Sequence, residues 1–261
     1  DEEPEPYELE LKAAGIKVFH LPEPSEDYIA YLRSLKKLIQ QNSYSIIHAH
    51  TMYNCGWAML VGKFMGVPCR ISHSHSIKMA DHHYSLHQQI YQFVMRYFIR
   101  WCGTDYIGCG KAAGAWLYGE KFFKKKGKII YNGIDTEQFK YSGESRKRLR
   151  RELNLEDKFV VGHAGHFVEV KNQRFLISLM PEILRRCPEA VLLLLGEGRL
   201  REQLWRYCQE IGVEDRVIMT GNVSNVAEYL CAMDVFAFPS LYEGMPLAVI
   251  EVQCNGLPCI I

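Results

Sequence analysis

The chain has 261 residues, 48% of them hydrophobic and 12% aromatic, with 31 Lys and Arg against 30 Asp and Glu. This composition is that of an ordinary globular protein and excludes a disordered or collagen-like chain. The nearly balanced charge argues against a chain-wide basic surface for nucleic acid, and the length favours one large domain or two small ones.

Cysteine spacing and hydropathy predict where the protein resides. The nine cysteines form no CxxC pair and no Cys/His cluster at zinc spacing, which predicts reduced, mostly buried thiols. No apolar run reaches the roughly 18 residues of a membrane-spanning helix. The acidic, Pro-rich first ten residues do not have the pattern of a signal peptide. The sequence therefore predicts a cytoplasmic protein.

Strand and helix patterns alternate along the chain in two series. The first is predicted as strand 16–21, helix 25–42, strand 45–50, helix 57–65, strand 69–72, helix 84–101, strand 105–109, helix 111–118 and strand 128–131. The second is predicted as strand 159–164, helix 172–186, strand 190–195, helix 199–211, strand 216–219, helix 224–231, strand 234–238, helix 246–255 and strand 258–261. Two such series predict an α/β protein with two Rossmann-like, doubly wound lobes facing a cleft.

The boundaries follow from the breaks in this pattern. We expect an N-terminal lobe over 1–140, a charge-rich linker over 141–158 and a C-terminal lobe over 159–261. A helix tail ending at Gly15 predicts a strand ahead of it, and the apolar stretch 257–261 has no element after it to cover it. We therefore expect a fragment, incomplete at both termini.

The most informative stretch runs from Pro239 to Glu251. It follows a predicted strand, and Pro246 suits the first turn of a helix because its missing N–H would have no partner there. The free amides at this helix start form an anion site; they belong to Gly244, Met245 and Leu247. Glu243 and Glu251 would then bracket a ligand with hydroxyls and a phosphate. The alternative for each glutamate alone is a role without function, with Glu243 as an exposed loop carboxylate and Glu251 as a solvated helix carboxylate.

The stretch is similar to the E-x7-E signature of retaining family-4 glycosyltransferases, which have the GT-B fold. Other segments agree with that family in the same order: 132–135 with Phe139, 163–165 through 171–172, 195–198, 221–223 and 234–240. The resemblance implies transfer of a sugar from a nucleoside diphosphate sugar to an acceptor hydroxyl, with retention of the anomeric configuration. Segment 68–75 resembles bacterial exopolysaccharide and capsule enzymes, which implies a sugar or lipid-linked saccharide acceptor.

The resemblance also implies roles for single residues. Glu243 and the amides after it would hold the transferred sugar and the diphosphate, Glu251 would accept hydrogen bonds from the ribose hydroxyls, and Lys171 would neutralise the leaving diphosphate. His166 stands where the family usually has Arg, and an imidazole cannot form the guanidinium fork. The remaining donor-binding candidates are Gly165, Gly196, Asn222 and Val223.

Four histidines stand at the ends of first-lobe strands: His48, His50, His73 and His75. The family places a histidine after the strand equivalent to 69–72, so His75 or His73 is the candidate for contact with the donor sugar or the acceptor. His50 is a second candidate. For each one alone, a structural hydrogen-bonded role is the alternative.

Three further histidines have a spacing that resembles a metal site: His82, His83 and His87. Apart from Asp81, no Cys or carboxylate cluster accompanies them, and enzymes of the GT-B fold need no metal for diphosphate departure. We therefore expect no metal and no cofactor, the nucleoside diphosphate sugar being a substrate.

Two local patterns leave alternatives open. Lys121 to Lys128 combines five basic residues with two aromatics, typical of a solvated connection or of peripheral attraction to anionic lipid at the inner face of the plasma membrane. Gly196-Glu-Gly198 resembles a dinucleotide fingerprint, but Arg201 replaces its third Gly. Two other functions remain open: a different sugar-nucleotide enzyme, such as an epimerase or phosphorylase, and a non-catalytic nucleotide-sugar-binding remnant.

Overall fold

The computed structural model describes residues 6–24, 27–77 and 84–261. The chain divides into two compact units, Asp1–Ile130 and Tyr131–Ile261. His82 and His83, whose spacing resembles that of a metal site, lie outside the described residues.

The first unit is built on a parallel sheet of four strands in the order β1-β2-β3-β4. The strands are β1 (Ile46–Ala49), β2 (Cys69–Ser74), β3 (Asp105–Gly108) and β4 (Gly127–Ile129). The helices are α1 (Pro6–Ala13), α2 (Tyr28–Asn42), α3 (Cys55–Phe64), α4 (Leu86–Cys102), α5 (Lys111–Tyr118) and α6 (Glu120–Lys126). Because parallel neighbours need a crossover, a helix lies between each pair of successive strands.

Caps and a buried tyrosine explain why these elements form. Asp27 accepts hydrogen bonds from the first amides of α2, and Ser85 forms a capping box with Gln88 at the start of α4. Tyr118 is fully buried, and its hydroxyl lies 2.6 Å from the Ser72 carbonyl oxygen. The end of α5 is thereby anchored to strand β2.

Two parts of the first unit differ from the sequence prediction. Residues 16–21 were predicted as a strand, but they pair with no other strand among the described residues, and Ile16 and Phe19 are about half exposed. A strand needs a hydrogen-bonded neighbour, which apolar residues alone do not provide. Helix α6 was not predicted. It forms around buried Phe123, while Lys124 to Lys126 lie exposed at its end.

The second unit contains a five-stranded parallel sheet in the order β7-β6-β5-β8-β9. The strands are β5 (Phe159–Ala164), β6 (Ala190–Leu195), β7 (Val217–Met219), β8 (Val235–Ala237) and β9 (Cys259–Ile260). The helices are α7 (Gly143–Glu152), α8 (Gln173–Arg186), α9 (Arg201–Glu210), α10 (Val226–Ala232) and α11 (Leu247–Asn255). The strand order reverses between β5 and β8, so the loops after these two strands leave in opposite directions and open a crevice.

The core of the second unit lies on both faces of the sheet. Strand β6 is buried throughout, as expected for the central part of a parallel sheet covered by helices. Val191, Leu193 and Leu195 pack with residues of α10 and α11, whereas Leu192 and Leu194 pack with residues of α8 and α9. Successive side chains of β6 point to opposite faces of the sheet, so this strand packs against both layers of helices.

The segment 141–158, predicted as a linker, contains helix α7 and is part of the second unit. The unit boundary falls after Ile130, ten residues before the predicted end of the first lobe. The arginines of the charged run reach back onto the unit: Arg146 and Arg150 pair with Asp234 at 2.5 and 3.1 Å. They also donate to backbone carbonyls at the end of α10. The two charged guanidiniums therefore hold α7 against the end of α10.

Within the described ranges, no helix combines the length and the apolar character needed to cross a bilayer.

Candidate active site

The crevice in the second unit is formed by two loops that hydrogen-bond to each other. One loop follows β5 and the other follows β8. The Leu241 amide donates to the Val170 carbonyl at 2.9 Å, and the Asn172 side chain donates to the Pro239 carbonyl at 3.3 Å. These bonds hold the two loops at a fixed spacing, as a binding site between them requires.

Lys171 and Glu243, which are 72 residues apart in sequence, meet in this crevice. The Lys171 ammonium donates to the Glu243 carboxylate with an Nζ–Oε1 distance of 2.7 Å. The two side chains are 20% and 25% exposed, so the pair is partly shielded but open to a ligand. The ammonium can neutralise a phosphate, and the carboxylate can accept hydrogen bonds from hydroxyl groups.

Glycines allow the loops after β5, β6 and β7 to approach closely. Gly196 has φ +128°, and a Cβ on it would lie 2.3 Å from the Gly165 carbonyl oxygen. Its amide donates to the Gly221 carbonyl at 3.0 Å. A Cβ on Gly198 would lie 2.6 Å from the Phe167 carbonyl oxygen. The Gly-Glu-Gly pattern therefore serves close loop packing around the crevice.

His163 lies on β5, ahead of the loop that carries Lys171, and was missed as a site residue by sequence reasoning. It is fully buried in β5, with Nδ1 3.0 Å from the Ala237 carbonyl and Nε2 3.3 Å from the Gln173 amide nitrogen. Burial lowers its pKa to about 4, so the ring is neutral at pH 7. Nδ1–H then donates to Ala237 and Nε2 accepts from Gln173. The sequence signal that could have identified His163 is an imidazole inside an otherwise apolar strand.

Helix α11 supplies backbone amides and a second carboxylate. Pro246 is its N-cap in an extended conformation rather than part of its first turn, and Leu247 is the first helical residue. The first amides of the helix have no intrahelical acceptor. Glu251 lies one turn further, and burial raises the pKa of its carboxyl. In the described part of the chain, no side chain or amide pairs with Glu251.

The other predicted donor-binding residues are more peripheral. The His166 side chain is exposed, while its carbonyl accepts from the Gln173 amide at 2.9 Å. Asn222 and Val223 follow β7, which lies two strands from β5 at the same carboxyl edge of the sheet. Asn132 donates to the Met245 carbonyl at 3.4 Å and so contacts the loop that precedes α11.

In the first unit, the structure brings the four strand-end histidines together. His48 stacks on His73 with ring centroids 5.4 Å apart, and His73 stacks on His75 at 4.1 Å. His50 Nδ1 and His75 Nε2 are hydrogen-bonded at 2.8 Å. The predicted candidates His73 and His75 are therefore parts of one imidazole cluster.

The fold places the chain in a known structural class. It superposes on the crystal structure of the Anabaena protein Alr3699/HepE in complex with UDP-glucose, with a TM-score of 0.81 and 22% identity. The match covers 97% of this chain and 69% of that one. Two parallel α/β units of this kind define the GT-B class of glycosyltransferases.

Sequence comparison gives the family. Residues 1–138 match the model described as Glycosyltransferase Family 4, and residues 158–261 match that of Glycosyl transferases group 1. The chain is 30% identical to EpsF of Bacillus subtilis (strain 168) over 259 residues, 98% of this chain and 67% of EpsF. The chain belongs to glycosyltransferase family 4, as predicted.

A further relative carries a more detailed name. It is the UDP-Gal:alpha-D-GlcNAc-diphosphoundecaprenol alpha-1,3-galactosyltransferase of Escherichia coli, 28% identical over 235 residues, 88% of this chain and 60% of that protein. The chain thus spans about two thirds of the length of these relatives.

Proposed function

We propose that this chain is part of a glycosyltransferase that moves a sugar from a nucleoside diphosphate sugar to an acceptor hydroxyl with retention, in bacterial polysaccharide or glycolipid assembly. The observation that carries the proposal is the Lys171–Glu243 pair in the crevice at the reversal of strand order. Two comparisons support a UDP-sugar donor: the HepE structure contains UDP-glucose, and the E. coli relative is named for UDP-Gal. That relative's name also includes a lipid diphosphate acceptor.

The chemistry requires charge stabilisation more than a protein nucleophile. The bond between the anomeric carbon and the diphosphate oxygen breaks, and a bond to the acceptor oxygen forms on the same face. The acceptor proton passes to the departing phosphate oxygen. Lys171 and the free amides at the start of α11 stabilise the negative charge that develops on the diphosphate. Glu243 holds sugar hydroxyls, so that the reacting atoms are oriented.

Glu251 fits the ribose in this scheme. Its carboxylate is half-buried and unpaired in the described chain, so it has free lone pairs for two neighbouring hydroxyls. The nucleotide end of the donor then extends towards Asn222 and Val223, along the same sheet edge. His166 is exposed and lacks the Arg fork, so in this proposal Lys171 provides most of the positive charge.

The test is a transfer assay on the full-length gene product with UDP, GDP and ADP sugars and a lipid-linked saccharide acceptor. Glu243→Ala and Lys171→Ala are each expected to reduce transfer about 10²- to 10³-fold, because each removes a group that stabilises the transition state. Lys140→Ala is the matched control, since it breaks an exposed Lys–Glu pair at 2.6 Å in the same unit.

Four outcomes would contradict the proposal. Near wild-type transfer by both site variants would remove the assigned roles. Inversion of the anomeric configuration, measured by the proton coupling constant of the product, would exclude the same-face mechanism. Donor conversion that needs no acceptor would instead indicate an epimerase or phosphorylase, and binding without any conversion would indicate a nucleotide-sugar-binding remnant.

A further inference from the structure

The histidine cluster in the first unit consists of four imidazoles on one face of two neighbouring strands. His48 and His50 are two residues apart on and after β1, as are His73 and His75 on and after β2, so each pair points the same way. β1 and β2 are parallel neighbours. Ring centroids of His50 and His73 are 5.2 Å apart, which joins the two pairs into one group.

His73 is the buried member of this cluster. It is 8% exposed, and neither Nδ1 nor Nε2 makes a hydrogen bond within the described structure. A buried imidazole whose two nitrogens make no hydrogen bond lacks a ligand that would satisfy it.

The neighbouring rings present further nitrogens to the same space. One ligand nitrogen from each of His48, His50 and His73 can be chosen so that all three lie within 4.8 Å of one another. Three nitrogens around a tetrahedral cation at about 2.05 Å would be roughly 3.3 Å apart. His48 and His50 are exposed, so rotation of their side chains can close the difference.

His75 contacts His50 from outside this set. Their 2.8 Å hydrogen bond occupies Nδ1 of His50. When His50 donates this bond, its Nε2 carries a free lone pair. A hydrogen bond of this kind to the second ring nitrogen is how proteins orient histidine ligands of metals.

We propose that His48, His50 and His73 bind one divalent transition-metal cation of the zinc type, with His75 as a positioning residue for His50. Imidazole nitrogens suit Zn²⁺, Ni²⁺ and Cu²⁺, whereas Mg²⁺ and Ca²⁺ prefer oxygen ligands. Three neutral ligands leave the cation its full charge and an open position for a water or an anionic oxygen. This site belongs to the first unit, whereas the Lys171–Glu243 pair belongs to the second. It differs from the sequence-based expectation of no metal.

The experiment is calorimetric titration of the chelator-stripped full chain with ZnCl₂, and with MgCl₂ in parallel. We expect one zinc site, no heat from MgCl₂, and at least a tenfold loss of zinc affinity in His73→Gln and in His48→Ala. His75→Ala is expected to weaken binding about 10- to 100-fold, as outer hydrogen-bond partners of ligands do. His87→Ala is the control, because it removes an exposed imidazole from α4.

A thermal-melting measurement separates lost binding from lost folding. Zinc should raise the melting temperature of the wild type and of His87→Ala but not that of a folded His73→Gln variant. Unchanged zinc affinity in His48→Ala and His73→Gln would overturn the proposal. Loss of the site only in a His82→Ala/His83→Ala variant would overturn it too, by assigning the metal to those residues. Both readouts are independent of sugar transfer, so they do not depend on the proposed function.

Discussion

At the residue scale, Glu251 combines partial burial with the lack of a partner in the described structure. Burial raises the pKa of its carboxyl, because no partner in the described structure compensates the ionised form. A group of this kind is costly to stability and is typical of a binding site.

Glu251→Gln should therefore separate binding from stability. We expect nucleoside diphosphate affinity to fall about 10- to 100-fold, because a hydrogen bond to a charged group is worth about 1.5–3 kcal/mol. The free energy of unfolding should stay the same or rise. Calorimetry and urea denaturation measure the two effects, with Gln253→Ala on the same helix as the control. Unchanged affinity would show that Glu251 does not bind the nucleoside diphosphate.

Gly196 is the residue at which backbone packing most restricts the side chain. A Cβ there would lie 2.3 Å from a backbone oxygen, and its φ of +128° disfavours any L side chain. We expect Gly196→Ala to lower the free energy of unfolding by about 2–4 kcal/mol in urea denaturation.

The matched control is Gly143→Ala at the start of α7. Its Cβ would meet only the Tyr141 ring at 3.9 Å, so we expect unchanged or slightly higher stability. Equal effects of the two substitutions would contradict the close packing of the loops.

At the scale of elements, α7 is docked by the contacts of Asp234. Burial raises the pKa of this carboxyl, but hydrogen bonds from the Val160 amide and from Arg146 and Arg150 outweigh it, and the pKa lies below its usual range. The charged form is therefore favoured by folding. Its contribution to stability is complete above the unfolded pKa of about 3.9 and is lost as pH falls through the lower folded value.

Asp234→Asn should lower the free energy of unfolding by roughly 2–3 kcal/mol at pH 7, because two guanidiniums lose their charged acceptor. The difference from wild type should shrink as pH falls from the unfolded pKa of about 3.9 towards the lower folded value, where the folded wild-type carboxyl takes up a proton. Urea denaturation at several pH values measures this. Glu137→Gln, in an exposed pair, should change stability by less than about 0.5 kcal/mol. A difference for Asp234→Asn that does not depend on pH would exclude the charge as its cause.

At the scale of the whole molecule, helix α6 changes how the basic run is interpreted. Phe123 is buried, so the segment is a docked helix whose three lysines, Lys124 to Lys126, are exposed together. Such a cluster would attract anionic lipid by about 1 kcal/mol per lysine near the surface.

We expect the triple substitution of Lys124, Lys125 and Lys126 to Glu to reduce sedimentation of the full-length protein with phosphatidylserine-containing liposomes. Neutral liposomes, and a triple substitution to Arg that keeps the charge, are the controls. Unchanged sedimentation of the Glu variant would contradict a peripheral lipid contact through α6.

The alternation of strands and helices could be predicted from the sequence because it depends on local periodicity. β5 and β6 have the bounds predicted from their apolar runs, and α8 differs by a single residue. Residues 16–21 were predicted incorrectly as a strand, and α6 was not predicted. Their structure depends on partners elsewhere in the chain, namely a paired strand in the first case and a pocket for Phe123 in the second.

The order of the motifs in the sequence was enough to identify the family and to predict Glu243, Lys171 and Glu251 as site residues. Only the tertiary structure decided that Lys171 and Glu243 touch, that β5 and β8 flank the reversal of strand order, and that α7 is docked by its arginines. It also decided that four histidines form one cluster, in which the His73 nitrogens make no hydrogen bond within the described part of the chain. The physical reason is that periodicity and motifs act over a few neighbouring residues, whereas a charge pair or ligand set is defined by distances between strands far apart in the chain.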